Sequence, residues 1–222
     1  FSSFSCTIGF GADAWKQLFP EQGNPKELKT FETIKGAKYT AVSTPGDILL
    51  HIRAKQMGLC FEFASIIDEK LKGVVDSIDE THGFRYMDGK AIIGFVDGTE
   101  NPAVDENPYH FAVIGDEDPD FIGGSYIFVQ KYIHDMTTWN SLPVEAQEKV
   151  IGRHKYNDVE LSDEEKPQNA HNAVTNIGDD LKIVRANMPF ANTSKGEYGT
   201  YFIGYASTFS TTHKMLENMF IG

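Results

Sequence analysis

The sequence predicts an α+β fold made of two similar units, each an antiparallel sheet with helices on one face. Three observations carry this expectation. The order strand, helix, strand occurs twice along the chain; the strand-like runs are rich in β-branched and aromatic residues; and the regular β-α alternation that builds a parallel sheet is missing.

In the first half, SCTIGFG (5–11) reads as a strand, ADAWKQLF (12–19) as a short helix, and GDILLHIRA (46–54) as a strand entered through a turn at Pro45-Gly46. LCFEFASIIDEKLKGVV (59–75) carries apolar residues at helical spacing, and the mixed stretch SIDETHGFRYM (77–87) suits a strand. After a hinge at Gly123-Gly124, SYIFVQKYIHD (125–135) is β-rich and PVEAQEKVIG (143–152) is a helix with Pro143 near its start. YGTYFIGYA (198–206) is another strand, and TTHKMLENMF (211–220) closes as a helix. The expected halves are residues 1–122 and 123–222, and a cleft between two such units is a natural ligand site.

A chain of 222 residues is long for one compact core and short for two, and it suffices to bury a ligand. With 41% hydrophobic and 23% charged residues and no low-complexity tract, the expectation is a folded, enzyme-sized body. A net charge of −12 argues against a nucleic-acid backbone as partner and disfavours anionic membranes, since both need a basic surface. Much of the acid lies in runs such as GDEDPD (115–120) and LSDEEKP (161–167), which read as solvated loops. Cys6 and Cys60 are too few for a disulfide framework and lack metal spacing; within LCFEFASII, Cys60 reads as a small buried hydrophobe. There is no apolar run of about 18 residues and no signal peptide at the start, which points to the cytoplasm. The chain begins at Phe1 rather than Met, so this bound on localisation is weak.

Two stretches hold the candidate chemistry. In IIGFVDGTENP (92–102), Asp97 directly follows a buried-looking hydrophobic run that reads as a strand. Gly98 lets the backbone turn or approach another group closely, and Thr99, Asn101 and Pro102 are turn or helix-start residues. Taken alone, an aspartate capping a turn and an aspartate doing chemistry fit equally well. No Gly-Lys-Ser/Thr follows, so this is not a phosphate loop, and the oxygen spacing is not that of a helix-loop-helix calcium site. The second stretch is NAHNAVTNIGDDLKIVRANMPFAN (169–192), with a reversing turn around Gly178. His171 is one of seven histidines and needs support from elsewhere. Arg185 is more informative, because an arginine among Ile183, Val184, Ala186 and Met188 is costly unless it meets an acid or an anionic ligand. Asn187, two residues on, shares its face of an extended segment. A carboxylate, a fixed cation, an amide and an imidazole around one apolar slot suit haem with peroxide. Sixteen phenylalanines, nine tyrosines and six methionines could line a porphyrin, although ordinary cores use the same residues.

GFVDGTENP contains the Gly-x-x-Asp-Gly signature of the dye-decolourising haem peroxidases. GGSYIFVQKYIHD, EKVIGRHK, VRANMPF and GTYFIGYA resemble the bacterial B-type branch in the same order, so the resemblance runs along almost the whole chain. It implies two ferredoxin-like units of the dimeric α+β barrel type, haem b as cofactor, and oxidation of dyes, phenols or other small reductants by hydrogen peroxide. Position by position, it makes His171 the ligand to haem iron, Asp97 the distal aspartate, Arg185 the distal arginine and Asn187 the polar residue beside it. Gly98, Thr99 and Glu100 fall on the stretch whose backbone follows the porphyrin edge, and Arg153 falls near a haem propionate. The resemblance further implies a homo-oligomer and an encapsulating shell as partner.

Three departures accompany it. Ala170-His171 stands where the family often has Ser-His; the family usually begins with a strand before Phe1; and it continues past MLENMFIG into a segment that commonly places a carboxylate behind the proximal histidine. The chain is therefore expected to be trimmed at both ends. Two other readings share these residues: a haem-binding or iron-handling protein with incidental peroxidase activity, and a structural or cargo protein of the same fold that has lost haem.

Overall fold

The computed structural model of the chain describes residues 4–222. In chain order the elements are β1 (Phe4–Phe10), α1 (Ala12–Leu18), β2 (Ile34–Lys35), β3 (Thr40–Ala41), β4 (Ile48–Ala54), α2 (Met57–Leu71), α3 (Pro108–Ala112) and β5 (Tyr126–Ile133). They continue with α4 (Met136–Ser141), α5 (Val144–Ile151), α6 (His171–Thr175), β6 (Val184–Arg185), β7 (Met188–Asn192), β8 (Glu197–Ala206) and α7 (Phe209–Phe220). All strand pairings are antiparallel, in keeping with the expected α+β class.

The chain divides into two units. The first comprises residues up to Asn24, Leu28–Phe31 and Ser43–Glu80. Its centre is the β1–β4 pair, in register from Phe4 opposite Ala54 to Phe10 opposite Ile48. The helix α2 packs on β4, and its Phe63 meets Phe4 of β1 edge-on at 4.9 Å between ring centres. At the other end of β1, Phe10, Trp15 and Phe19 form a second aromatic cluster, fixed by the Trp15 indole N–H donating to Gly23 O at 2.8 Å.

The second unit holds Pro25–Glu27, Glu32–Val42 and Thr81–Gly222. Its main sheet is built around β8, whose apolar and aromatic residues suit a strand flanked on both edges. β5 pairs along one edge, from Tyr126 opposite Ala206 to Ile133 opposite Gly199, and β6 and β7 share the other edge. α7 buries Thr211, Thr212 and Leu216 and packs on β8, β5, β2 and α6, while α5 also touches α6. Behind α6, therefore, stand two other helices.

Residues 77–87 were expected as a strand and form none. The stretch includes the charged and glycine-bearing DETHG, which favours no ladder, and it meets the sheet through a backbone bond from Phe84 N–H to Pro189 O. The division between units falls after Glu80, not at 122/123. A physical reason lies in Gly123-Gly124: Gly123 N–H donates to Ile114 O and Ile114 N–H to Gly124 O, so the supposed hinge is pinned to the segment before it.

Candidate active site

The IIGFV run forms a tight turn rather than a strand. Ala91 N–H donates to Phe95 O and Gly94 N–H to Ala91 O, both at 2.8 Å, and only a single bridge joins Lys90 to Val96. Phe95 is the buried anchor of this turn, 4% exposed and edge-on to Trp139. The turn delivers Asp97, whose own N–H donates to Gly89 O at 3.0 Å. Gly98 has φ of +82°, a conformation that L side chains rarely adopt, and it redirects the chain so that Asn101 N–H closes onto Gly98 O at 3.0 Å. Asp97 is thereby fixed at the mouth of a turn, half-buried.

Arg185 ends β6 and Asn187 follows it in the gap before β7. β6 and β7 are interrupted between Arg185 and Met188, and the interruption is made by Asn187 itself. Ala186 N–H donates to Ile203 O in the ordinary way, but Ile203 N–H goes to the Asn187 Oδ1 at 3.3 Å. With its oxygen taken by β8, the Asn187 amide must point its NH₂ elsewhere, and Nδ2 donates to Asp97 Oδ1 at 3.1 Å. Arg185 enters no ion pair among the described residues, and its Nε is buried without a hydrogen-bond partner. Burial lowers its pKa, and the charges of Glu100 and then Asp97 act in the opposite sense. On its backbone, Arg185 N–H donates to Asn101 Oδ1 at 2.7 Å and its carbonyl accepts from Asn101 Nδ2 at 2.9 Å.

His171 opens α6, after Ala170 in extended conformation. The next residue anchors the helix: Asn172 Nδ2 donates to Gly152 O at 3.2 Å and to Glu160 Oε1 at 3.0 Å, while its Oδ1 is buried without a partner against Gly152. Gly152 ends α5 with φ of +92°, and a Cβ there would lie 1.8 Å from the Asn172 Oδ1. His171 retains much accessible surface, yet burial lowers its pKa and the charge of Arg185 lowers it further. His171 also lines a cavity of about 330 Å³, together with Ile93, Ile133, His134, Asp135, Trp139, Val150 and Ile151. Burial and the Arg185 charge both favour the neutral imidazole, which lies within electrostatic reach of Arg185, and Arg185 in turn senses Asp97.

Arg153, Glu100 and Thr99 meet in a separate network around Asp158. Arg153 donates from Nε to Asp158 Oδ1 at 3.1 Å and from Nη1 to Glu100 Oε1 at 2.7 Å, and also reaches the Asp158 carbonyl at 2.6 Å. Thr99 Oγ1 donates to Asp158 Oδ2 at 2.7 Å. Asp158 sits at φ of +59°, in the hairpin-like return that bridges Arg153 to Glu160. Asn101, Asp158 and Asn172 are the site residues that sequence reasoning missed. Asn101 was visible only as a turn residue, and its partner lies 84 positions away; the tripeptide Tyr156-Asn157-Asp158 signals a turn and nothing about its partners. Among the described residues, no group of three or more His, Cys, Asp or Glu is arranged to hold a metal ion by itself, and no helix is long and apolar enough to cross a membrane.

Comparisons with known proteins agree along the chain. The family description "Dyp-type peroxidase, N-terminal" matches residues 2–85 and "Dyp-type peroxidase, C-terminal" matches 88–222. A dye-decolorizing peroxidase of Rhodococcus erythropolis is 52% identical over 222 residues, covering 98% of this chain; the chain spans 64% of that relative's length. Among solved structures, a dye-decolorizing peroxidase from Bacteroides thetaiotaomicron is 87% identical with a TM-score of 0.97, over 99% of this chain and 71% of the other. A DypB variant of Rhodococcus jostii in complex with heme is 47% identical with a TM-score of 0.94, over 99% and 72%. The encapsulated DyP-type peroxidase of Mycobacterium smegmatis is 52% identical with a TM-score of 0.94, over 99% and 72%.

Proposed function

The chain belongs to the Dyp-type peroxidase family, and from that premise we propose that it is a haem-dependent peroxidase, using hydrogen peroxide to oxidise dyes, phenols or other small reductants. The observation that carries the reading is the state of Arg185. Its guanidinium is largely enclosed by protein, has no ion pair among the described residues and leaves a buried N–H unmatched, a costly arrangement unless negative charge arrives beside it. Charge that builds on a peroxide oxygen as the O–O bond breaks answers that need.

The other residues fit haem b as well. Metal ligation needs a neutral imidazole, and burial with the nearby Arg185 charge favours that form of His171. The cavity that His171 lines has Ile93, Ile133, Trp139, Val150 and Ile151 to pack against an apolar macrocycle, with His134 and Asp135 as its polar members. In this reading His171 would hold the iron, Gly98, Thr99 and Glu100 would contribute backbone to the haem site, and Arg153 would offer its remaining N–H groups to a propionate. Bound haem would supply the redox-active iron at which peroxide is reduced. Asp97, held by Asn187, takes a proton from one peroxide oxygen and returns it to the other. Arg185 stabilises the developing negative charge from a fixed position. Over a turnover, hydrogen peroxide gains two electrons and two protons and leaves as two waters, while two molecules of reductant each lose one electron and one proton.

The R. jostii relative in complex with heme supports the cofactor, and the encapsulated M. smegmatis relative supports a shell partner; the homo-oligomer and the cytoplasmic location rest on the sequence expectation alone. The test is peroxide consumption by the haem-loaded chain with a phenolic reductant. Turnover in the parent and its loss in Arg185→Leu support the reading; haem uptake without any peroxide-dependent turnover overturns it.

A further inference from the structure

β6 contains only Val184 and Arg185 and lies at the edge of its sheet, with β8 on one side. The peptide groups on the other side of so short an edge strand need partners. One side chain supplies them. The Asn101 amide accepts from Arg185 N–H and donates to Arg185 O, the two hydrogen bonds that the peptide of a neighbouring strand would make. Among the described residues Arg185 has no ion pair and its buried Nε has no hydrogen-bond partner, so the guanidinium inherits its position from its own backbone. Asn101 is in turn set by the turn that Gly98 begins, closely enough that a Cβ on Gly98 would come within 3.3 Å of Asn101 Nδ2. One turn therefore follows Asp97 directly and grips Arg185.

We infer that Asn101 is a positioning residue for Arg185, holding the guanidinium where it faces peroxide; this rests on the peroxidase reading above. Asn101 touches no reacting atom and acts only through Arg185. Misplacing a catalytic group by about 1 Å costs up to about 100-fold in rate, so Asn101→Ala in the haem-loaded full chain should react with peroxide about 10- to 100-fold more slowly.

Because the effect runs through Arg185, the double variant Asn101→Ala/Arg185→Leu should be no slower than Arg185→Leu alone. Hydrogen exchange supplies a readout independent of turnover: the Arg185 amide should lose protection in Asn101→Ala. Asn101→Asp keeps the acceptor for Arg185 N–H and loses the donor to Arg185 O, so it decides the matter if the alanine variant fails to fold, with a smaller loss of rate expected. An unchanged rate in both variants, a fully additive loss in the double variant, or an Arg185 amide as protected as in the parent would overturn the inference. A haem-loaded parent that ignores peroxide would overturn the functional reading instead, and Arg185 exchange would still report whether Asn101 holds this residue.

Discussion

Asn187 donates its side-chain N–H to Asp97 at 3.1 Å, and it can do so in one sense only, because its oxygen is already taken by the Ile203 N–H of β8. The sheet thus dictates which end of the amide meets the carboxylate. Asn187→Ala leaves Asp97 without this donor and should slow reaction with peroxide by about 10-fold, a fraction of what a well-placed proton shuttle is worth, roughly 10²–10⁴-fold. Asn187→Asp sets a second carboxylate against the first and should be slower than the alanine variant. Stopped-flow rates for the two variants check the order.

Arg185 should matter more than Asp97. A water chain can replace a missing carboxylate more readily than anything can replace a fixed cation, and Arg185 has no ion pair among the described residues. Loss of one charge-stabilising donor costs about 10²–10³-fold, and Arg185→Leu should reach that range while Asp97→Ala loses less. Rapid-mixing rates with hydrogen peroxide, measured for both variants, decide it; a larger loss in Asp97→Ala contradicts the ranking.

The long strands were legible because their apolar patterns are local. SYIFVQKYIHD contains β5 and YGTYFIGYA lies within β8, to within two residues at each end. α6, only five residues, carried no periodic signal, and IIGFV read as a strand because an apolar run around one buried phenylalanine looks the same whether it is extended or turned. Asp97 and Arg185 stood out because a charge beside apolar neighbours needs a reason. Asn101 and Asn172 did not, since an asparagine that bonds to a distant backbone is indistinguishable in sequence from one that caps a turn.

Gly152 should tolerate no side chain. Its φ of +92° disfavours any L residue by about 1–2 kcal/mol, and a Cβ would press into the Asn172 side chain that anchors α6. Gly152→Ala should therefore lower the unfolding temperature and weaken haem retention by displacing His171. Adding Asn172→Ser removes the clash but not the backbone cost, so thermal denaturation should show partial recovery.

His51 should make the first unit sensitive to acid. Burial, then the charge of Arg53, pushes its pKa down to about 4, against about 6.5 when unfolded. Between these values the unfolded chain binds a proton that the folded one does not, so the stability that His51 contributes is fully present above about pH 6.5 and is lost as the pH falls through about 4. In His51→Gln, urea midpoints should fall less steeply across this window than in the parent; parallel curves would contradict the assignment.

The most direct measurement is the absorption spectrum of the haem-titrated chain and of His171→Ala, each before and after one equivalent of hydrogen peroxide. The parent should show a sharp Soret band that shifts on adding peroxide, and His171→Ala should show neither the ligated spectrum nor the shift, with imidazole in the buffer restoring part of both. A ligated spectrum that survives in His171→Ala, or a parent band that peroxide leaves unchanged, would contradict an iron held by His171 within reach of Asp97 and Arg185.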